Sequence, residues 1–127
     1  MNGKFKNRKH TISFRRAIEG IILAYKTQPN LKIMIAFALL VFFCCWLLKL
    51  NKIELLIIVW TILVVFVAEM INTSIESMVD LITTEWKEDA KIAKDISSGM
   101  VLMAVSGSAI IGLLIFVPKI LSYLSHL

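Results

Sequence analysis

Three stretches of this chain carry no charged residue and are strongly apolar: 33–48, 55–68 and 96–118. A helix needs about 20 consecutive apolar residues to cross a bilayer, so the third run spans by itself. The first is slightly short. Lys32 and Lys49 flank it, however, and lysine stems can lie along lipid while their ammonium groups reach the interface. The second run does not stop at a turn signal, because helical periodicity continues past Ala68 to about Thr84. One long helix is expected there, its second half rising out of the apolar layer. A water-soluble domain cannot hide so much apolar surface: the chain is 58% hydrophobic, against roughly 45–50% in soluble domains. The expectation is an all-α integral membrane protein forming a single domain over 1–127, with spanning helices at 31–50, 53–85 and 92–123.

The segment before the first span, 1–30, is expected to be a surface helix with a loose start. From Thr11 to Lys26 the apolar residues Ile12, Phe14, Ile18, Ile21, Ile22 and Tyr25 recur at helical spacing, with Arg15, Arg16, Glu19 and Lys26 opposite. Such an amphipathic helix lies in the interface, basic side toward anionic headgroups. Gln28-Pro29-Asn30 should break it, because proline disfavours helical geometry in the residue before it. The first apolar run starts about thirty residues in and no small-residue cleavage site follows, so no cleaved leader is expected.

Charge is distributed unevenly. Lys4, Lys6, Arg8, Lys9, Arg15, Arg16, Lys26 and Lys32 precede the first span, against the single acid Glu19. That bias places the N-terminus in the cytoplasm. Three crossings then put the charged connection 86–94 inside and the C-terminus outside. Between Glu69 and Asp95 the balance reverses, with acids at 69, 76, 80, 85, 88, 89 and 95 facing Lys87, Lys91 and Lys94.

Within that acidic stretch, Glu69, Asn72, Glu76 and Asp80 fall on one face of a helix. Carboxylates at membrane depth are costly, about 2.5 kcal/mol each at the least, and normally mark a functional site. Three of them beside an amide repel one another unless cations share the site. Hard oxygen ligands of this kind suit Mg²⁺, with Mn²⁺ as a substitute, held by one or two carboxylates plus substrate phosphates. The bland alternative is a solvated helix end with a routine acidic face, which fits Asp80 better than Glu69. Lys94-Asp95 follows just before the third span, and a lysine there can neutralise phosphate. Metal, a cation near phosphates and a base are what phosphoryl transfer needs. No glycine-rich phosphate loop is present, so any nucleotide site must be built from side chains on helices. Cys44 and Cys45 are adjacent in an apolar run and read as packing residues. His10 and His126 are isolated at opposite ends. The small residues Gly99, Ser106, Gly107, Ser108 and Gly112 suggest close helix contact in the third span.

The pattern E-x-x-N-x-x-[IV]-E-x-x-[VI]-D over 69–80, then Ala93-Lys94-Asp95, resembles the signature of the prokaryotic diacylglycerol kinase and undecaprenol kinase family. The resemblance covers nearly the whole chain, with Phe14, Ala17 and Gly20 matching the surface helix. The tail 108–119 is more similar to Gram-positive undecaprenol kinases. What this implies is a homotrimer in a bacterial plasma membrane, with active sites between subunits facing the cytoplasm. The reaction implied is ATP-dependent phosphorylation of undecaprenol, with diacylglycerol as the alternative acceptor. The resemblance further implies that Glu69 is the general base toward the lipid hydroxyl and that Glu76 is a metal ligand. Glu76 together with Asn72, Asp80, Glu85, Lys94 and Asp95 would then serve the nucleotide, with Ala17 more weakly placed, and Ser98 would lie near the lipid. Gln28 stands where the family carries a second metal-ligating glutamate, and its amide oxygen can ligate only without charge. A small non-catalytic helical protein is the reading of another class. The polar residues cluster at one end of a dry span, which favours a surface catalytic site over a pore.

Overall fold

The computed structural model describes residues 14–125. Four helices occupy them: α1 (Phe14–Thr27), α2 (Pro29–Leu47), α3 (Lys52–Ile82) and α4 (Glu88–Leu124). No strand occurs among the described residues. The expected helix start at Thr11 lies outside them, as do His10 and His126. The helices α2, α3 and α4 are each long and apolar enough to cross a membrane.

Length decides which parts stay in lipid. At 1.5 Å per residue, the 19 residues of α2 reach about 28 Å, close to the ~30 Å hydrocarbon core. The 31 residues of α3 reach about 46 Å and the 37 of α4 about 55 Å. Twenty or so residues from Lys52 bring α3 to the vicinity of Glu69–Asn72, so the rest of that helix overshoots the apolar layer.

Local sequence explains each joint. Gln28 is extended (φ −104°, ψ 110°), as a residue before proline must be. The break is that single residue rather than the expected Gln28–Asn30. Pro29 instead opens α2, where its fixed φ suits the first turn and its missing N–H is not needed. Across the joint the Lys32 ammonium lies 5.8 Å over the Tyr25 ring. The helix α2 ends at Leu47, short of the expected 50, with Lys49 in the left-handed region at φ 50°. The Lys49 N–H donates to the Trp46 carbonyl and the Leu50 N–H to the Cys45 carbonyl. This is the paired reverse bonding that closes a helix C-terminus. Asn51 then caps α3. Its side chain accepts from the N–H groups of Ile53 and Glu54, while Glu54 accepts from the Asn51 N–H at 2.8 Å. The connection expected over 86–94 instead occupies 83–87, because α3 stops at Ile82, short of the expected 85, and α4 begins at Glu88, ahead of the expected 92. Glu88 and Asp89 sit in the first turn of α4, where carboxylates favour a helix N-terminus.

The main packing is α3 against α4, with smaller contacts of α2 on α1 and on α3. Between α2 and α3 lies an open groove of about 280 Å³, lined by apolar residues such as Ile35, Phe42, Val59 and Phe66. Along α3 and α4 the buried side chains are mostly polar: Thr61, Glu69, Asn72 and Ser97, with Ile58. Large apolar groups such as Trp60, Leu63, Leu102, Met103 and Leu114 remain exposed. Burial of such a side chain is worth about 1.5–3 kcal/mol, so this outer surface belongs against lipid or another helix. The expected small-residue contact is made within the chain at Ser108, whose hydroxyl donates to the Thr61 carbonyl at 3.3 Å. Around Gly99 and Gly107 there is open space instead.

Candidate active site

About three turns of α3, running from the edge of its apolar stretch, supply one wall of the site, and the first turns of α4 supply the other. Glu69 is only 3% exposed. No hydrogen bond to its carboxylate is made among the described residues, and neither oxygen is wholly sealed off. Three residues on, Asn72 is buried as well. Its side-chain N–H donates to Glu76 Oε1 at 3.0 Å, the i, i+4 spacing that lets neighbouring turns touch. Glu76 is half-buried and Asp80 exposed. The stripe therefore runs from a dry carboxylate to a wet one.

From α4, Lys94 reaches across to pair with Asp80. Ser97, one turn further, is 1% exposed. Its Oγ stands 2.6 Å from Asn72 Oδ1 and 2.9 Å from the Lys94 carbonyl oxygen. Asn72, Glu76, Asp80 and Lys94 are thus brought together in one cluster, joined by Ser97.

The remaining candidates stand apart from that cluster. Asp95 pairs with Lys91 at 3.6 Å on an exposed face. Glu85 is exposed in the joint between α3 and α4, its N–H donating to Thr83 Oγ1 at 3.2 Å. Ser98 is exposed, turned away from the buried position its neighbour Ser97 takes. Gln28 is half-buried and its side chain makes no capping bond. Ala17 is exposed on α1. Ser97 is the residue that sequence reasoning missed. The available signal was its place three residues after Lys94, on the helix face that also carries Ser108.

Among the described residues, no three His, Cys, Asp or Glu side chains converge as a metal-holding group. The donor chemistry still fits Mg²⁺, since that ion commonly takes one or two carboxylates and completes its shell with water and substrate phosphates. Glu76 offers such a carboxylate, half-buried and oriented by Asn72.

Comparisons with known proteins converge on one family. The family model described as prokaryotic diacylglycerol kinase matches residues 15–116. The undecaprenol kinase of Bacillus subtilis (strain 168) is 43% identical over 108 residues, covering 85% of this chain and 88% of that protein. A diacylglycerol kinase of Synechocystis sp. is 37% identical over 112 residues, 87% of this chain and 64% of the relative. The diacylglycerol kinase of Escherichia coli (strain K12) is 34% identical over 71 residues, 56% of this chain and 57% of the relative.

Proposed function

Because the chain belongs to the prokaryotic diacylglycerol kinase family, and is therefore a lipid kinase, we propose that it transfers the γ-phosphoryl group of ATP to the hydroxyl of undecaprenol. The observation that carries this choice of acceptor is the 43% identity to an undecaprenol kinase over nearly the full length of both chains.

The geometry supports a division of labour along α3. Glu69 is the carboxylate nearest the apolar stretch, where the hydroxyl of a membrane-anchored alcohol can reach it. It takes the hydroxyl proton as the alcohol oxygen bonds to the γ-phosphorus and the bond to ADP breaks. Glu76 lies seven residues along, about 10 Å at 1.5 Å per residue, which leaves room for the phosphates between the two. Glu76 would hold Mg²⁺, with Gln28 as a weaker neutral donor. When bound, that ion neutralises charge on the transferring phosphoryl group. Lys94, now resting on Asp80, supplies a cation for the phosphates. Asp95 and Glu85 would face the nucleotide, with Ala17 at its periphery, and Ser98 the lipid.

The reading includes a homotrimer with composite sites. In a single chain, the space beside Gly99 and Gly107 is open and Lys94 is partly exposed, which leaves room for a second copy to close the site. It also places α1 on the cytoplasmic membrane surface, its exposed Ile18 and Ile21 in lipid and Arg15 and Arg16 toward headgroups. The test is ATP consumption and lipid phosphorylation by the purified chain in detergent, with undecaprenol and diacylglycerol supplied side by side. Undecaprenol should be the faster acceptor. A faster diacylglycerol reaction overturns the acceptor assignment, and phosphorylation of neither overturns the site reading.

A further inference from the structure

We propose that Ser97 is a positioning residue: its buried hydroxyl keeps the Asn72 amide aimed at Glu76. The inference rests on the reading of the Asn72–Glu76–Lys94 cluster as the phosphotransfer site.

A serine hydroxyl has one proton to donate, and two acceptors stand within reach, Asn72 Oδ1 at 2.6 Å and the Lys94 carbonyl at 2.9 Å. An asparagine amide can only accept at oxygen and only donate at nitrogen. With the amide as it stands, Oδ1 takes the serine proton and Nδ2 donates to Glu76 Oε1 at 3.0 Å. If the amide turned over, Oδ1 would confront Glu76 Oε1, an acceptor against an acceptor. The present arrangement satisfies all three side chains, and it does so with Ser97 1% exposed and Asn72 7% exposed. Water cannot easily replace a partner there.

Removing the hydroxyl leaves a buried carbonyl oxygen without a donor, which is unfavourable enough to drive rearrangement. The cation in this cluster is Lys94, one helical turn before Ser97 and partly exposed. An amide that turns its oxygen toward that ammonium swings its N–H away from Glu76. Glu76 then loses the bond that orients it, and Lys94 loses freedom to serve the phosphates. Ser97 touches neither substrate nor metal in this account and acts only through Asn72.

The experiment uses the full chain in detergent micelles. Mn²⁺ binding is measured by the loss of the unbound ion's electron paramagnetic signal, without ATP or lipid, for wild type, Ser97→Ala and Ser97→Cys. A cysteine fills similar space but is a weak donor, so it separates hydrogen bonding from packing. Both variants should weaken Mn²⁺ binding roughly five- to tenfold, the effect of one buried hydrogen bond. In steady state the loss should fall mainly on KM for metal–ATP, with kcat changed less. In an Asn72→Ala background, Ser97→Ala should add nothing further. Wild-type Mn²⁺ affinity in Ser97→Ala or in Ser97→Cys, or a fully additive double variant, overturns the inference while the site reading stands. A wild type that phosphorylates no lipid alcohol overturns that underlying reading instead.

Discussion

Each end of the α3–α4 pair is tied by a lysine on α4 and a carboxylate on α3. At one end Lys119 meets Glu54 at 3.0 Å, with the two side chains 31% and 24% exposed. At the other Lys94 meets Asp80, with exposures of 39% and 62%. Glu54 is also bound by the Asn51 N–H, and Asn51 in turn caps α3, so Asn51, Glu54 and Lys119 all have local partners. At the Lys94 end, among the described residues, Glu69 is buried with no hydrogen-bond donor to its carboxylate and Glu76 is held by the Asn72 amide alone. Saturation suits a joint that has only to persist. An exposed ion pair contributes at most about 1 kcal/mol, so the Lys94–Asp80 contact is easily exchanged for a phosphate. The difference teaches that the same two residue types fasten a helix pair where their bonds are complete, and serve chemistry where they are left open.

The largest break of this comparison should come from removing metal. Excess EDTA should abolish lipid phosphorylation, because the carboxylates beside ATP phosphates leave negative charge that only a cation offsets. It should lower the thermal unfolding midpoint of the nucleotide-free chain by no more than the loss of metal held at Glu76 accounts for, since Glu54 and Lys119 need no metal. Turnover that persists in chelator would remove the metal from the scheme.

Next in size is Glu69→Gln. A positioned base contributes roughly 10²- to 10⁴-fold in rate, so turnover should fall by that order while ATP-analogue affinity stays near wild type. The matching change at the other end, Glu54→Gln, should leave turnover intact. Equal activity losses in the two variants would erase the distinction between the ends.

Asn51→Ala tests the saturated end directly. Loss of an N-cap of this kind costs about 1 kcal/mol, read as a lower midpoint in denaturant titration of the detergent-solubilised chain. Activity per folded molecule should not change. A drop in kcat without loss of stability would show that the two ends communicate through α3.

The three spans and the acidic stripe were legible in the sequence because charge-free length and the 3.6-residue period fix them without tertiary information. Glu69, Asn72 and Glu76 share a face in any α-helix. Ser97 was not legible as the buried partner. Ser97 and Ser98 differ by one 100° step around α4, and choosing between them requires the packing angle on α3. The Glu54–Lys119 tie is hidden for a related reason: the two residues lie 65 positions apart and each merely flanks an apolar run. The charge of 86–94 suggests a loop and so a later start for α4 than Glu88. In fact Glu88 and Asp89 stabilise the helix N-terminus they occupy.

The smallest effect should come from Lys49→Gly, in the turn that leads into the saturated end. Lys49 adopts φ 50°, where a side chain crowds the backbone at a cost of roughly 1–2 kcal/mol. The turn requires that geometry, since only a left-handed residue lets the Lys49 and Leu50 N–H groups reach back to Trp46 and Cys45. Glycine removes the crowding but loses more backbone freedom on folding, a penalty of roughly 0.5–1 kcal/mol. The balance is a stabilisation of roughly 0–1.5 kcal/mol, about 0.75 kcal/mol at mid-range. It should be seen as a small rise in the denaturant midpoint, with lipid phosphorylation unaltered. A lowered midpoint would mean that the lysine side chain itself holds the turn. A change in turnover would mean that the α2–α3 joint reaches the open end after all.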